Sequence, residues 1–189
     1  TKGGKCNTAL GTEALMSNVG GSDNTALGYN ALKSTTGDNN TAIGSGAGLA
    51  NTTGVYNVAV GQGAMSQNTT GLSNTAVGAG AGVASSDATY NTSLGAEALS
   101  SGNGAGWNTA VGYQALRASD ASNNTSIGYQ SMVEHFAGQY NVGIGHSALA
   151  FKPGPGAGSF IDPCGSYNVG VGYAAGQRMN GGEYNVAVG

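Results

Sequence analysis

One five-residue motif returns eleven times along the chain. It consists of Asn, Thr or Val, a small residue, an aliphatic residue and Gly, and its first residue is Asn7, Asn24, Asn40, Asn57, Asn74, Asn91, Asn108, Asn124, Asn141, Asn168 and Asn185. Successive copies lie 16 or 17 residues apart, except for one interval of 27 residues after Asn141. Because a stacked array absorbs insertions in its loops, this period predicts one structural unit per repeat.

The motif has the pattern of a short β-strand. Thr or Val and the aliphatic residue are two positions apart, so they share one face of a strand. Thr and Val also replace each other, as two β-branched residues of similar shape can. We predict that this face points into the core, and that the small residue, such as Ala26 or Ala59, points outward. The Gly that follows in every copy predicts a corner with positive φ or a close backbone contact.

Ten of the repeats continue with an Ala or Ser three residues after the Gly, followed by Leu, Met or Gly. We predict a second, shorter strand there and a polar loop over the remaining residues. A helix is disfavoured, because every interior Gly costs about 1 kcal/mol relative to Ala. The predicted fold class is therefore an all-β solenoid, a β-roll or β-helix of about eleven 17-residue coils, forming a single domain over 1–189.

Two columns of repeated residues are candidate interaction sites. In-register Asn side chains predict a hydrogen-bonded ladder between coils, with members Asn24, Asn57, Asn74, Asn91, Asn108 and Asn141. The residue before each Asn becomes aromatic towards the C-terminus, as in Trp107, Tyr140 and Tyr167. These rings are candidate partner contacts, either stacking on sugars or packing against a neighbouring coil or chain.

The long interval contains an inserted loop at 150–167 with all three prolines of the chain. Phe151, Phe160 and Ile161 give this loop apolar surface, which predicts either a loop folded against its own coil or a contact site for a receptor. Cys164 also lies here, far from Cys6. The two thiols are expected to be structural, or else to crosslink three chains in an oxidising compartment.

Composition excludes several function classes. Charged residues make up 8% of the chain and the net charge is −3, so the basic surface of a nucleic-acid binder is missing. His135 and His146 have no Cys, Asp or Glu column at metal-ligand spacing, and no Ser, His and acid set recurs within one coil. We therefore expect no enzyme activity, no metal and no cofactor. No apolar run approaches the roughly 20 residues of a membrane-spanning helix.

A coil of 17 residues has a thin core, which is small relative to the conformational entropy lost on folding. We therefore expect association with other copies of the chain. If three chains share one axis, their outward Ala columns are predicted to form the contact. The expected partner is the chain itself, as a homotrimer.

The motif resembles the Asn-Thr-Ala-Leu-Gly repeats of bacteriophage and algal-virus tail-fibre proteins, as in 24–32 and 108–116, and the β-roll heads of trimeric autotransporter adhesins, as in 56–61 and 184–189. The resemblance covers 6–189. It implies a left-handed trimeric solenoid, outside the cell, in a virion tail fibre that contacts a host glycan or protein receptor. The alternative is the head of a bacterial surface adhesin. An ice-binding solenoid is less favoured, because the Thr column is expected to point inward.

Overall fold

The computed structural model describes residues 3–83, 86–102, 105–134, 137–150, 165–177 and 182–189. Each repeat contributes one three-residue strand and the described residues contain no helix, which confirms the predicted all-β solenoid. The strands are β1 (Thr8–Leu10), β2 (Thr25–Leu27), β3 (Thr41–Ile43), β4 (Val58–Val60), β5 (Thr75–Val77), β6 (Thr92–Leu94), β7 (Thr109–Val111), β8 (Thr125–Ile127), β9 (Val142–Ile144), β10 (Val169–Val171) and β11 (Val186–Val188).

The eleven strands form one parallel sheet whose spatial order is the chain order. Equivalent residues of the motif face each other across every pair, so Ala26 pairs with Ala42 and Leu27 pairs with Ile43. The 27-residue interval does not disturb this register, because Val169 pairs with Val142. Each strand therefore contacts only the strands of the repeats before and after it.

The two faces of the sheet are the reverse of the prediction. The small central residues of β2 to β10 are buried, with Ala26 and Ala42 at 0% exposure, whereas the aliphatic Leu27 is 43% exposed. In β9 and β10, whose central residue is Gly, the interior has no room even for a Cβ. A Cβ on Gly143 would lie 2.6 Å from Cγ of Met132, and a Cβ on Gly170 would lie 2.8 Å from Cγ of Leu149. The Thr or Val and the aliphatic residue therefore face outward.

The prediction of a second strand is also wrong. In the Ala-Leu segment after the Gly, the backbone of Leu15, Leu32 and Leu116 has φ of 50°, 47° and 49°. These left-handed values are incompatible with a strand. The segment is instead a turn that stacks in register, with Leu32 N–H donating to the carbonyl of Ala47 in the next repeat at 3.0 Å. The turn points its Ala and its Leu or Met into the interior, opposite the small strand residues.

The Gly that ends each strand satisfies both expectations for that position. Gly28 has φ of 134°, and a Cβ there would lie 2.6 Å from the carbonyl carbon of Gly44 in the next repeat. The same close approach recurs along the column. Successive corners can therefore stack only because no side chain separates them.

Candidate functional site

The surface with the most unusual composition is the outward face of the sheet. We call it the outer face and define it as the first and last residues of strands β1 to β11. Every strand ends in an exposed or half-buried aliphatic residue: Leu10, Leu27, Ile43, Val60, Val77, Leu94, Val111, Ile127, Ile144, Val171 and Val188. The first residues are Thr, or Val in β4, β9, β10 and β11. Because the strands are in register, these side chains form two continuous apolar and hydroxyl-bearing columns.

The outer face carries no charge. Its residues are all Thr, Val, Leu or Ile, and the two ion pairs of the described residues lie in the turns instead. Lys33 Nζ contacts Glu13 at 2.7 Å, and this hydrogen bond and charge raise the pKa of Lys33 above its ordinary value. Arg117 contacts Glu134 at 3.4 Å. The charged side chains of both ion pairs therefore lie away from the outer face.

Two columns flank the outer face, one on each side. The pre-Asn column holds the residue before each recurring Asn: Cys6, Asp23, Asn39, Tyr56, Ser73, Tyr90, Trp107, Asn123, Tyr140, Tyr167 and Tyr184. The post-Gly column holds the residue after each strand-ending Gly: Thr12, Tyr29, Ser45, Gln62, Ala79, Ala96, Tyr113, Tyr129, His146 and Tyr173. All nine tyrosines and the single tryptophan of the chain lie in these two columns. The tyrosines and the tryptophan are therefore confined to the borders of the outer face.

Rings in the pre-Asn column stack on one another along the solenoid. Tyr140 and Tyr167 have ring centroids 5.0 Å apart, and Tyr167 and Tyr184 are 4.9 Å apart. Tyr90 and Trp107 form a separate pair at 5.4 Å. The left-handed backbone of this column, with φ of 58° at Tyr140, holds every side chain at the same corner. Both faces of Tyr167 are covered, so it cannot stack on a sugar ring.

The post-Gly column contains a second stack, which the sequence analysis missed. Tyr113, Tyr129, His146 and Tyr173 follow one another at centroid distances of 5.5, 4.9 and 5.0 Å. His146, considered above only as a metal ligand, is the third ring of this stack. The signal was present in the sequence, because these rings recur one residue after the Gly of each motif.

The recurring Asn side chains lie inside the solenoid and connect the repeats. The Oδ1 of Asn24 accepts the backbone N–H of Asn40 at 2.8 Å, and its Nδ2 donates to the carbonyl of Gly37 in its own repeat at 2.8 Å. Asn57, Asn74, Asn91, Asn108 and Asn141 accept the corresponding N–H of the following repeat in the same way. These six residues are structural and buried, away from the outer face.

A second set of interior Asn residues was not recognised from the sequence. Asn18, Asn51 and Asn68 are buried eleven residues after a recurring Asn, and each donates to the carbonyl of Gly three residues later. Asn51 donates to Gly54 at 3.1 Å, for example. Only three repeats carry Asn in this column, so the repeat pattern alone gave a weak signal.

The structure does not describe all of the remaining candidate residues. Phe151, Phe160, Ile161 and Cys164 fall outside the described residues, as does His135. Cys6 is exposed in the pre-Asn column. Within the described ranges, no three His, Cys, Asp or Glu side chains are grouped to hold a metal ion, and no helix could cross a membrane.

Comparisons with protein-family models, with curated proteins and with solved structures found no match for this chain.

Proposed function

We propose that the chain is a structural module of an extracellular fibre, and that three copies associate through their outer faces. The observation that carries this proposal is the outer face itself, which is uncharged and has an exposed or half-buried aliphatic residue in every repeat. An apolar surface of this extent on a soluble protein marks an interaction site. In this homotrimer the aliphatic column forms the contact between chains, in place of the Ala column that was expected to do so.

The dimensions of the outer face are sufficient for a stable interface. Eleven strands about 4.8 Å apart make it about 50 Å long, and three residues per strand make it about 10 Å wide. With the two flanking columns, its area is on the order of 1,000 Å² per copy, and a trimer divides it between two neighbours. Each pairwise contact then buries about 1,000 Å² in total, the lower limit for a biological interface. The flanking columns also supply Tyr and Trp, which are enriched at interfaces.

The biological role we propose is a rigid segment of a viral tail fibre that takes part in host attachment. The supporting feature is a repetitive architecture in which length is set by repeat number. The head of a bacterial trimeric surface adhesin is the alternative setting for the same architecture. A host glycan or protein receptor is then contacted by residues outside the shared face, for which the inserted loop with Phe151, Phe160 and Ile161 is the candidate.

The test is the solution mass of the 189-residue chain by light scattering, with circular dichroism on the same sample. We expect a β spectrum and three times the 18.4 kDa of one chain. The variant Ile127→Asp places a charge on the outer face at the end of β8 and should give monomers. The matched control Gln67→Asp adds the same charge at an exposed turn and should leave the trimer intact. A folded wild-type monomer would overturn the proposal.

One observation favours a second candidate function. The Thr column was expected to point inward, which disfavoured ice binding, but Thr8, Thr25 and Thr92 are exposed on the outer face. A regular array of Thr and aliphatic side chains on a parallel sheet is a surface that can order water at fixed spacing. The same face cannot serve both functions. Ice binding would be supported if the wild-type chain is a monomer and shows thermal hysteresis, and if Thr92→Lys abolishes that hysteresis.

A further inference from the structure

The aromatic residues of the two flanking columns occur in the same repeats. The repeat of β7 has Trp107 in the pre-Asn column and Tyr113 in the post-Gly column. The repeat of β9 has Tyr140 and His146, and the repeat of β10 has Tyr167 and Tyr173. Within one chain these partners lie on opposite borders of the outer face, with a strand between them. All ring contacts of the described residues run along a column, and none joins the two columns.

Association of parallel copies gives these residues a common contact. When copies are related by rotation about an axis along the solenoid, one border of each outer face meets the opposite border of the next. The pre-Asn column of one copy then lies beside the post-Gly column of its neighbour. Antiparallel copies would instead bring each column against its own equivalent. Only the parallel arrangement in register pairs the rings that occur in the same repeat.

We propose, on the basis of the self-association proposed above, that the copies are parallel and in register, with Trp107, Tyr140 and Tyr167 of one copy contacting Tyr113, His146 and Tyr173 of the next.

Three further repeats are consistent with this pairing, because each matches a Tyr with a side chain that can hydrogen-bond its hydroxyl. The repeat of β2 combines Asp23 with Tyr29, and the repeat of β8 combines Asn123 with Tyr129. The repeat of β4 combines Tyr56 in the pre-Asn column with Gln62 in the post-Gly column. Carboxylate and amide groups are suitable partners for a phenolic O–H.

The repeat of β3 continues the pattern with two small polar residues, Asn39 and Ser45, and the repeat of β5 has Ser73 and Ala79. The repeat of β6 departs from it, because Tyr90 is paired with Ala96, which has no hydrogen-bonding group. Aromatic pairs are therefore concentrated from β7 onward. Closed rotational symmetry sets the register, because a shift by one repeat between neighbours would not close a ring of three copies. The rings alone do not set it, since such a shift would still place Trp107 beside Tyr129 and Tyr140 beside Tyr173.

Disulfide crosslinking tests this pairing directly. In a full chain carrying Cys6→Ser and Cys164→Ser, the double variant Tyr167→Cys/Tyr173→Cys should give covalent trimers on a non-reducing gel after mild oxidation. The two positions flank Val169–Val171 in one chain, too far apart for a bond within it. Each single variant should remain uncrosslinked. The mismatched pair Tyr167→Cys/Tyr113→Cys is the control for register and should also remain uncrosslinked.

The outcomes separate this inference from the proposed function. A wild-type monomer in light scattering would overturn both. A wild-type trimer in which Tyr167→Cys alone gives covalent dimers, or in which the mismatched pair crosslinks, would overturn the pairing and leave self-association standing. If the cysteine variants do not fold, Trp107→Leu and Tyr113→Leu provide a second measurement. Each should weaken trimer association about tenfold, and the double variant should be weakened by much less than the product. If the effects of Trp107→Leu and Tyr113→Leu on trimer association are fully independent, the contact between these two residues is contradicted.

Discussion

The side-chain oxygen of Asn108 accepts the backbone N–H of Asn124 at 2.9 Å, while its side-chain nitrogen donates to the carbonyl of Ala121 at 3.0 Å. Asn124 belongs to the next repeat, whereas Ala121 closes the coil that Asn108 begins. One buried amide therefore sets both the stacking of neighbouring coils and the closure of its own loop. Asn is suited to this position, because it supplies an acceptor and a donor without charge.

The first prediction concerns this side chain. Asn108→Ala should lower the free energy of unfolding by about 1–3 kcal/mol, because it leaves the buried N–H of Asn124 without its acceptor. The carbonyl of Ala121 loses one donor but keeps the hydroxyl of Ser119 at 3.3 Å. Chemical denaturation followed by circular dichroism measures the change. Gln67→Ala, at an exposed turn outside both flanking columns, is the control and should stay within about 0.5 kcal/mol of wild type. Equal stabilities of the two variants would contradict the role of the Asn column.

The second prediction tests which face of the sheet is interior. Ala110 is fully buried at the centre of β7, so Ala110→Val should destabilise the fold by about 1–3 kcal/mol through overpacking. Thr109→Val adds a methyl group in place of a hydroxyl on the neighbouring, outward residue. It should change the free energy of unfolding by less than about 0.5 kcal/mol. If Thr109→Val is the more damaging variant in thermal melts, the assignment of the faces is wrong.

The third prediction distinguishes two kinds of glycine with positive φ. A Cβ on Gly95 would lie 2.5 Å from the carbonyl oxygen of Gly112, so Gly95→Ala should cost about 3 kcal/mol or more. Gly46 has φ of 68° and no atom within 4 Å of the position that a methyl group would take, and Glu97 occupies the equivalent place with φ of 55°. Gly46→Ala should therefore cost only about 1 kcal/mol. If Gly95→Ala and Gly46→Ala lose similar amounts of unfolding free energy in urea denaturation, the close stacking of the corners is contradicted.

The fourth prediction concerns the stacked rings. Tyr167→Leu removes contacts with two rings and should destabilise the fold by about 1–3 kcal/mol, since each aromatic pair contributes about 0.5–1.5 kcal/mol. Tyr56→Leu is a matched control, because Tyr56 has the same left-handed backbone but lies between Asn39 and Ser73, which carry no rings. The loss of stability in Tyr56→Leu, measured by calorimetry, should be clearly smaller than that in Tyr167→Leu. Equal losses would mean that stacking contributes little.

The solenoid was predictable from the sequence because the period is visible there, but the direction of the side chains was not. Alternation places Thr109 and Val111 on one face whichever face is buried, and hydrophobicity alone favoured burying Val111. The interior is instead filled from the opposite wall, by Leu116 and Met132. The space available opposite Ala110 determines which face of the strand is buried. The residue pattern of a single strand does not reveal that space.

The turn was mispredicted for a related reason. Leu116 is an ordinary strand or helix residue by composition, and only Gly at the same column in other repeats, such as Gly48 and Gly82, indicated a left-handed backbone. The recurrence of aromatic residues after the Gly was also present in the sequence. Its meaning for Tyr113 and Tyr173 depends on the structure, in which two columns border one face of the sheet.

The strands run across the solenoid rather than along it, and this direction determines how the molecule would respond to mechanical load. A force that pulls the chain apart from one end acts on the hydrogen bonds between one coil and the next, and not on all eleven strands in shear. Coils would peel off one at a time, each releasing roughly 50–60 Å of chain from its 17 residues. A single chain would thus be extensible and weak under tension. Lateral contacts between chains would add strength, because those of each coil must be broken before that coil can unwind.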